Sequence, residues 1–261
     1  MNRYDKEINI INDFQELDTN EVFLFNNSIT IKKIFNSVYD KTKWKNWIDS
    51  SSKKDLPPDF YNDKLKLMMD VMRIDDHAFE DSNGKIINPT NKRESQLLKE
   101  IANNSTSLKQ AIEEGRVIIN ADSGLRGEKD HNYTFYYKNF ERVIMNHLGK
   151  IDNYKKNHPG YKTIFFISDE ASPYFMAINN YRPSEPGEIV YSIFHQWWRD
   201  YNMLKCLLDS ELDYIIWFTP YKHFDSLEKI EPPFATVIDI KQIKKGNLIE
   251  YNVKNMYSAE V

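Results

Sequence analysis

The sequence predicts an α/β fold, with a mixed, partly parallel central sheet flanked by long helices. Two observations carry this. Short, continuous apolar runs such as "TIFFI" and "YIIWF" lack the polar alternation of a half-exposed strand, so they are expected to be strands covered on both faces. Longer stretches with helical apolar spacing alternate with them, which is the pattern of helices packed on a partly parallel sheet. At 261 residues, 41% hydrophobic and 28% charged, the chain is long enough to bury a sizeable core. It reads as one α/β domain, with a helical N-terminal part over 1–56 and a sheet-containing core over 57–261.

In the first part, Ile31, Ile34, Phe35 and Val38 have helical spacing, as do Trp44 and Trp47. "LPPDF" then breaks the pattern, because paired prolines set an extended chain. The stretch "KLKLMMDVMRIDDHAF" fits two periods. As a strand it puts Leu65, Leu67, Met69 and Val71 on one face and Met68, Asp70, Met72 and Ile74 on the other. As a helix it has a Leu65, Met68, Met69, Met72 stripe. The flanking Pro57-Pro58 and Asp75-Asp76 favour the strand. "NPTNKRESQLLKEIANN" and "TSLKQAIEEG" are expected helices, and "RVIINADSG" a short strand. "FYYKNFERVIMNHLGKIDNYKK" predicts one long amphipathic helix, with Phe140, Ile144 and Leu148 one turn apart. Strands are expected over 163–167, 214–218 and in "FATVIDIKQI". "EIVYSIFHQWWRDYNMLKCLLDS" predicts a second long helix between the first two.

Composition excludes several function classes. A net charge of −4 does not supply the broad basic footprint of nonspecific nucleic-acid binding, although a nuclease can hold an acidic centre in a locally basic cleft. The single cysteine, Cys206, permits no internal disulfide or cysteine zinc site, and its apolar neighbours predict an inert thiol. No run approaches about 18 apolar residues, so no membrane span is expected and the chain is expected to be cytoplasmic. The six histidines form no HxH or HExxH pattern, and no GxSxG elbow occurs. Sixteen tyrosines, 15 phenylalanines and five tryptophans predict a core rich in rings or an aromatic surface. Trp197 and Trp198, adjacent on an expected helix, raise that choice most directly.

Ligands gather at the carboxyl ends of parallel strands, and here those ends carry acids. They are Asp75-Asp76-His77, Asp122, and the pair Asp169 and Glu170, with Lys222 after the 214–218 strand. Oxygen ligands near a lysine suit Mg²⁺ or Mn²⁺ and phosphate chemistry. Arg126, framed by glycines in "NADSGLRGEKD", and Lys222 are the candidate anion-binding residues. Polar strand ends also have a plain structural explanation, since such acids cap helices.

"PPDF" followed by a strand bearing Asp70 resembles the PD-(D/E)-x-K nucleases, in which one acid follows a proline and a second lies on a later strand, with a lysine two positions beyond it. Pro58-Asp59 matches the first element and Asp70 the second, while Met72 stands where the lysine belongs. Lys66, on the same expected strand face, is the substitute. The resemblance implies metal binding by Asp59 and Asp70, with Lys66 positioning the attacking water. It points to a divalent-metal-dependent phosphodiester hydrolase acting on nucleic acid or another phosphate-bearing ligand. The alternative is a noncatalytic α/β binding or interaction module, in which Asp70 pairs within the chain.

Overall fold

The computed structural model describes residues 7–50, 58–77, 131–178, 191–222 and 232–259, with most of 79–110. In chain order its strands are β1 (Val22–Leu24), β2 (Ile48–Asp49), β3 (Phe60–Asn62), β4 (Leu67–Ile74), β5 (Phe79–Glu80), β6 (Ile86–Ile87), β7 (Lys162–Asp169), β8 (Tyr174–Ala177), β9 (Ser192–Phe194), β10 (Tyr214–Phe218), β11 (Ala235–Asp239) and β12 (Met256–Ser258). Its α-helices are α1 (Glu7–Phe14), α2 (Ile29–Tyr39), α3 (Lys41–Trp44), α4 (Pro89–Asn104), α5 (Tyr133–Leu148), α6 (Ile151–Asn157) and α7 (Tyr201–Leu208). The expected strand at 116–124, and Arg126 with its loop, lie outside the described residues.

Seven strands form one mixed sheet in the order β1-β11-β10-β7-β4-β3-β2. β4, β7 and β10 are parallel neighbours, and antiparallel strands border them. β8, β9 and β12 make a small second sheet, and β5 pairs with β6. The 65–74 stretch is thus a strand, beginning at Leu67 and buried on both faces.

The period of two divides the core in a regular way. Met72, Ile74, Phe165, Ile167, Ile215 and Trp217 face α5 and α7, while Met69, Val71, Ile164, Phe166, Ile216 and Phe218 face α1 and α2. Helix α5 lays Tyr133, Tyr136, Phe140 and Ile144 on the first face, a stripe at helical spacing. The Phe140 ring stacks on Trp217 at 5.2 Å. Among the described residues no helix is long and apolar enough to cross a membrane.

Three expectations change. The N-terminal part is not purely helical: β1 and β2 form the two edges of the main sheet. The helix expected over 135–156 begins two residues earlier, at Tyr133, and breaks at Gly149-Lys150 into α5 and α6. The long helix expected over 188–210 begins outside the described residues, and from 191 on it is instead β9, a short 3-10 turn at Trp197–Arg199, and α7. Asp200 explains the late start of α7, since its Oδ1 accepts the Asn202 and Met203 amides as an N-cap. Trp197 and Trp198 therefore sit together on a 3-10 turn ahead of α7 and not on a long α-helix. Trp197 is fully buried, and the two rings meet edge to face at 4.6 Å.

Candidate active site

Antiparallel pairing of β3 with β4 matches Phe60 to Met69, which brings Asp59 opposite Asp70. The acids named from the sequence thus meet as cross-strand neighbours. Asp59 Oδ2 accepts the Val71 amide at 2.7 Å. Burial raises the Asp59 carboxyl, and the charge of Asp70 and a hydrogen bond to it raise it further, to about 8.

Asp70 is buried on the α5 face. Its Oδ2 meets His147 Nδ1 at 2.6 Å and accepts the Tyr154 hydroxyl at 3.0 Å. His147 continues the sheet-facing stripe of α5, and Tyr154 comes from α6. These two partners were not singled out from the sequence. The visible signal is that His147 lies three residues after Ile144, on the apolar side of its helix.

Lys66 does not join them. It lies in the β3–β4 turn with φ +54°, ahead of the strand on which it was expected. A tight turn consumes Asp63–Lys66, and the lysine points to Tyr161, with Nζ 3.2 Å from the hydroxyl and 4.7 Å from the ring centroid.

Glu170 forms a two-pronged ion pair with Arg73 at 2.7 and 2.6 Å. Asp169 is fully buried at the end of β7, where its Oδ2 accepts Tyr136 OH at 2.5 Å and Trp217 Nε1 at 2.9 Å. Lys222 is buried too, its Nζ 3.1 Å from Asp169 and 3.0 Å from Tyr136 OH. Burial lowers the lysine and Asp169 opposes that effect. Asp169 and Lys222 are therefore an internal ion pair, and among the described residues neither Asp169 nor Glu170 meets Asp59 or Asp70. Cys206 is half-buried, its thiol raised by burial to about 11, in keeping with an inert side chain.

Further acid–imidazole contacts lie at the strand ends. His195 Nε2 is 2.7 Å from Asp200 Oδ2, which also accepts Tyr133 OH at 2.5 Å. Asp76, just beyond β4, meets His131 Nδ1 at 3.1 Å and accepts Tyr174 OH at 2.6 Å. Comparisons with protein-family models, curated proteins and solved structures find no match to this chain.

Proposed function

We propose that the protein is a divalent-metal-dependent phosphodiester hydrolase, nuclease-like, built on Asp59 and Asp70. The observation that carries this reading is that Asp59, immediately before β3, comes opposite Asp70 on β4 as the register continues. Two carboxyls facing each other in a partly buried setting resist both being charged. Asp59 and Asp70 would hold Mg²⁺ or Mn²⁺ through the oxygen donors such ions prefer, the ion displacing the proton that Asp59 otherwise keeps. The donor set therefore fits the ion. When bound, it supplies Lewis acidity and acidifies a coordinated water. The chain's own contribution is orientation and proton handling. Tyr154 and His147 hold Asp70 from two helices, and the Val71 amide holds Asp59. His147, still partly exposed, replaces the absent lysine as the proton-carrying group beside the acids.

A second reading is the noncatalytic binding module, favoured by the ties of Asp70 to His147 and Tyr154. Calorimetric titration of wild type, Asp59→Asn and Asp70→Asn with Mn²⁺, alongside cleavage of plasmid DNA and single-stranded RNA, separates the two. Saturable binding and cleavage lost in both variants support the hydrolase. No metal binding by wild type, with Asp70→Asn merely less stable, makes the pair structural.

A further inference from the structure

Beyond the end of β4 lies a second cluster of different chemistry. The Asp76 carboxylate is fully buried, and its two oxygens are treated unequally. Oδ2 accepts the Ser172 amide at 3.1 Å, the Ser172 hydroxyl at 2.8 Å and Tyr174 OH at 2.6 Å, and it meets His131 Nδ1 at 3.1 Å. Ser258 Oγ in turn lies 2.9 Å from Ser172 Oγ. Oδ1 has no hydrogen-bond partner among the described residues, and His77 Nε2 stands 3.7 Å away. Leaving a buried carboxylate oxygen unpartnered is costly, and such atoms call for an explanation.

The imidazoles supply one. The rings of His77 and His131 pack with centroids 4.6 Å apart and planes at 66°. One ligand atom from each of Asp76, His77 and His131 lies within 4.8 Å of the others. We propose that these three residues bind one divalent transition-metal ion through two imidazoles and one carboxylate oxygen. Ser172 and Tyr174 act as outer partners, saturating one Asp76 oxygen and aiming the other. Two nitrogen donors favour Zn²⁺, Co²⁺ or Fe²⁺ over Mg²⁺, which takes oxygen ligands. Three protein ligands leave a coordination position open, as in catalytic rather than structural sites. A small cleft lined by His131, Tyr133, Met256 and Tyr257 lies on the His131 side of the cluster.

This centre is independent of the Asp59–Asp70 pair. The strand end at Ile74 lies four positions beyond Asp70 along β4, roughly 13 Å of extended chain. The two sites also differ in donor type, so different ions report on each.

The test is titration of metal-free protein with Zn²⁺ by calorimetry and with Co²⁺ by visible absorption. Wild type should take one ion per chain, with Co²⁺ bands of a nitrogen-ligated site. His77→Gln and His131→Gln should each weaken binding at least about tenfold and alter the bands, while Asp70→Asn binds as wild type does. His77 lies at the rim of the cluster, so His77→Gln keeps the test valid even where Asp76→Asn fails to fold. No saturable Zn²⁺ binding by wild type, or unchanged affinity in both histidine variants, overturns the proposal. Loss of Mn²⁺ binding in Asp59→Asn bears only on the hydrolase reading.

Discussion

The hydroxyl of Tyr136 donates to Asp169 Oδ2 across 2.5 Å, and its ring stacks on Tyr174 at 5.5 Å. Tyr174 does the same service for Asp76, Tyr133 for Asp200 and Tyr154 for Asp70. Four buried aspartates are thus each met by a tyrosine. The phenol suits this place, since its ring fills apolar volume while its hydroxyl satisfies a carboxylate. Burial and the neighbouring carboxylate charge raise all four tyrosines, so they remain protonated donors.

Lys222 is the cation of this network. Lys222→Met leaves Asp169 charged and buried with hydrogen bonds alone, and should cost about 3–5 kcal/mol. The double variant Asp169→Asn, Lys222→Met removes both charges and should cost clearly less than the two single changes added together. Urea unfolding of the four proteins measures this. Additive losses would show that the ion pair has no energetic coupling.

Asp59 should make stability fall as pH rises. In the unfolded chain it ionises near 3.8, whereas in the fold it holds its proton to about 8. Between these values the folded state binds a proton that the unfolded state has lost, so stability drops with increasing pH. Asp59→Asn removes that slope. Its melting temperature relative to wild type should climb as pH goes from about 5 to about 9. A constant difference would mean that the carboxyl is not raised.

His195 acts at the acid end. Burial lowers it below its usual 6.5, and Asp200 only partly opposes this. As pH falls below 6.5 the unfolded chain gains a proton there that the fold resists, so stability is lost with acidification. His195→Gln should flatten the decline between about pH 7 and 5. Chemical denaturation across that range is the measurement, and an unchanged slope sinks the assignment.

Lys66 should tolerate replacement. Its φ of +54° disfavours a side chain, and among the described residues its Nζ reaches only Tyr161. Lys66→Gly should stabilise by about 0.5–1 kcal/mol and leave Mn²⁺ binding unchanged. Weakened Mn²⁺ binding would restore the lysine to the site.

The α/β class was legible because β4, β7 and β10 are covered on both faces, and continuous apolar runs record that directly. The opposition of Asp59 and Asp70 was suggested only through a resemblance, since cross-strand register depends on the length of the Asp63–Lys66 turn. That same turn misplaced Lys66. The segment around Trp197 misled because apolar residues at helical spacing also fit a short strand followed by a 3-10 turn. His131, 54 positions beyond His77, has no local signature at all. Its approach to Asp76 is made by the crossover that delivers α5 onto the sheet.

Helix α5 also behaves like a ruler with marks at both ends. His131 stands two positions before its first residue, Tyr133 and Tyr136 open it, and His147 nearly closes it, each matched to a different aspartate. An α-helix turns about 100° per residue. One residue inserted after Phe140 would therefore swing Ile144 and His147 off the sheet while the two tyrosines stay seated. The spacing between the two acidic ends of this sheet is thereby written into the length of a single helix.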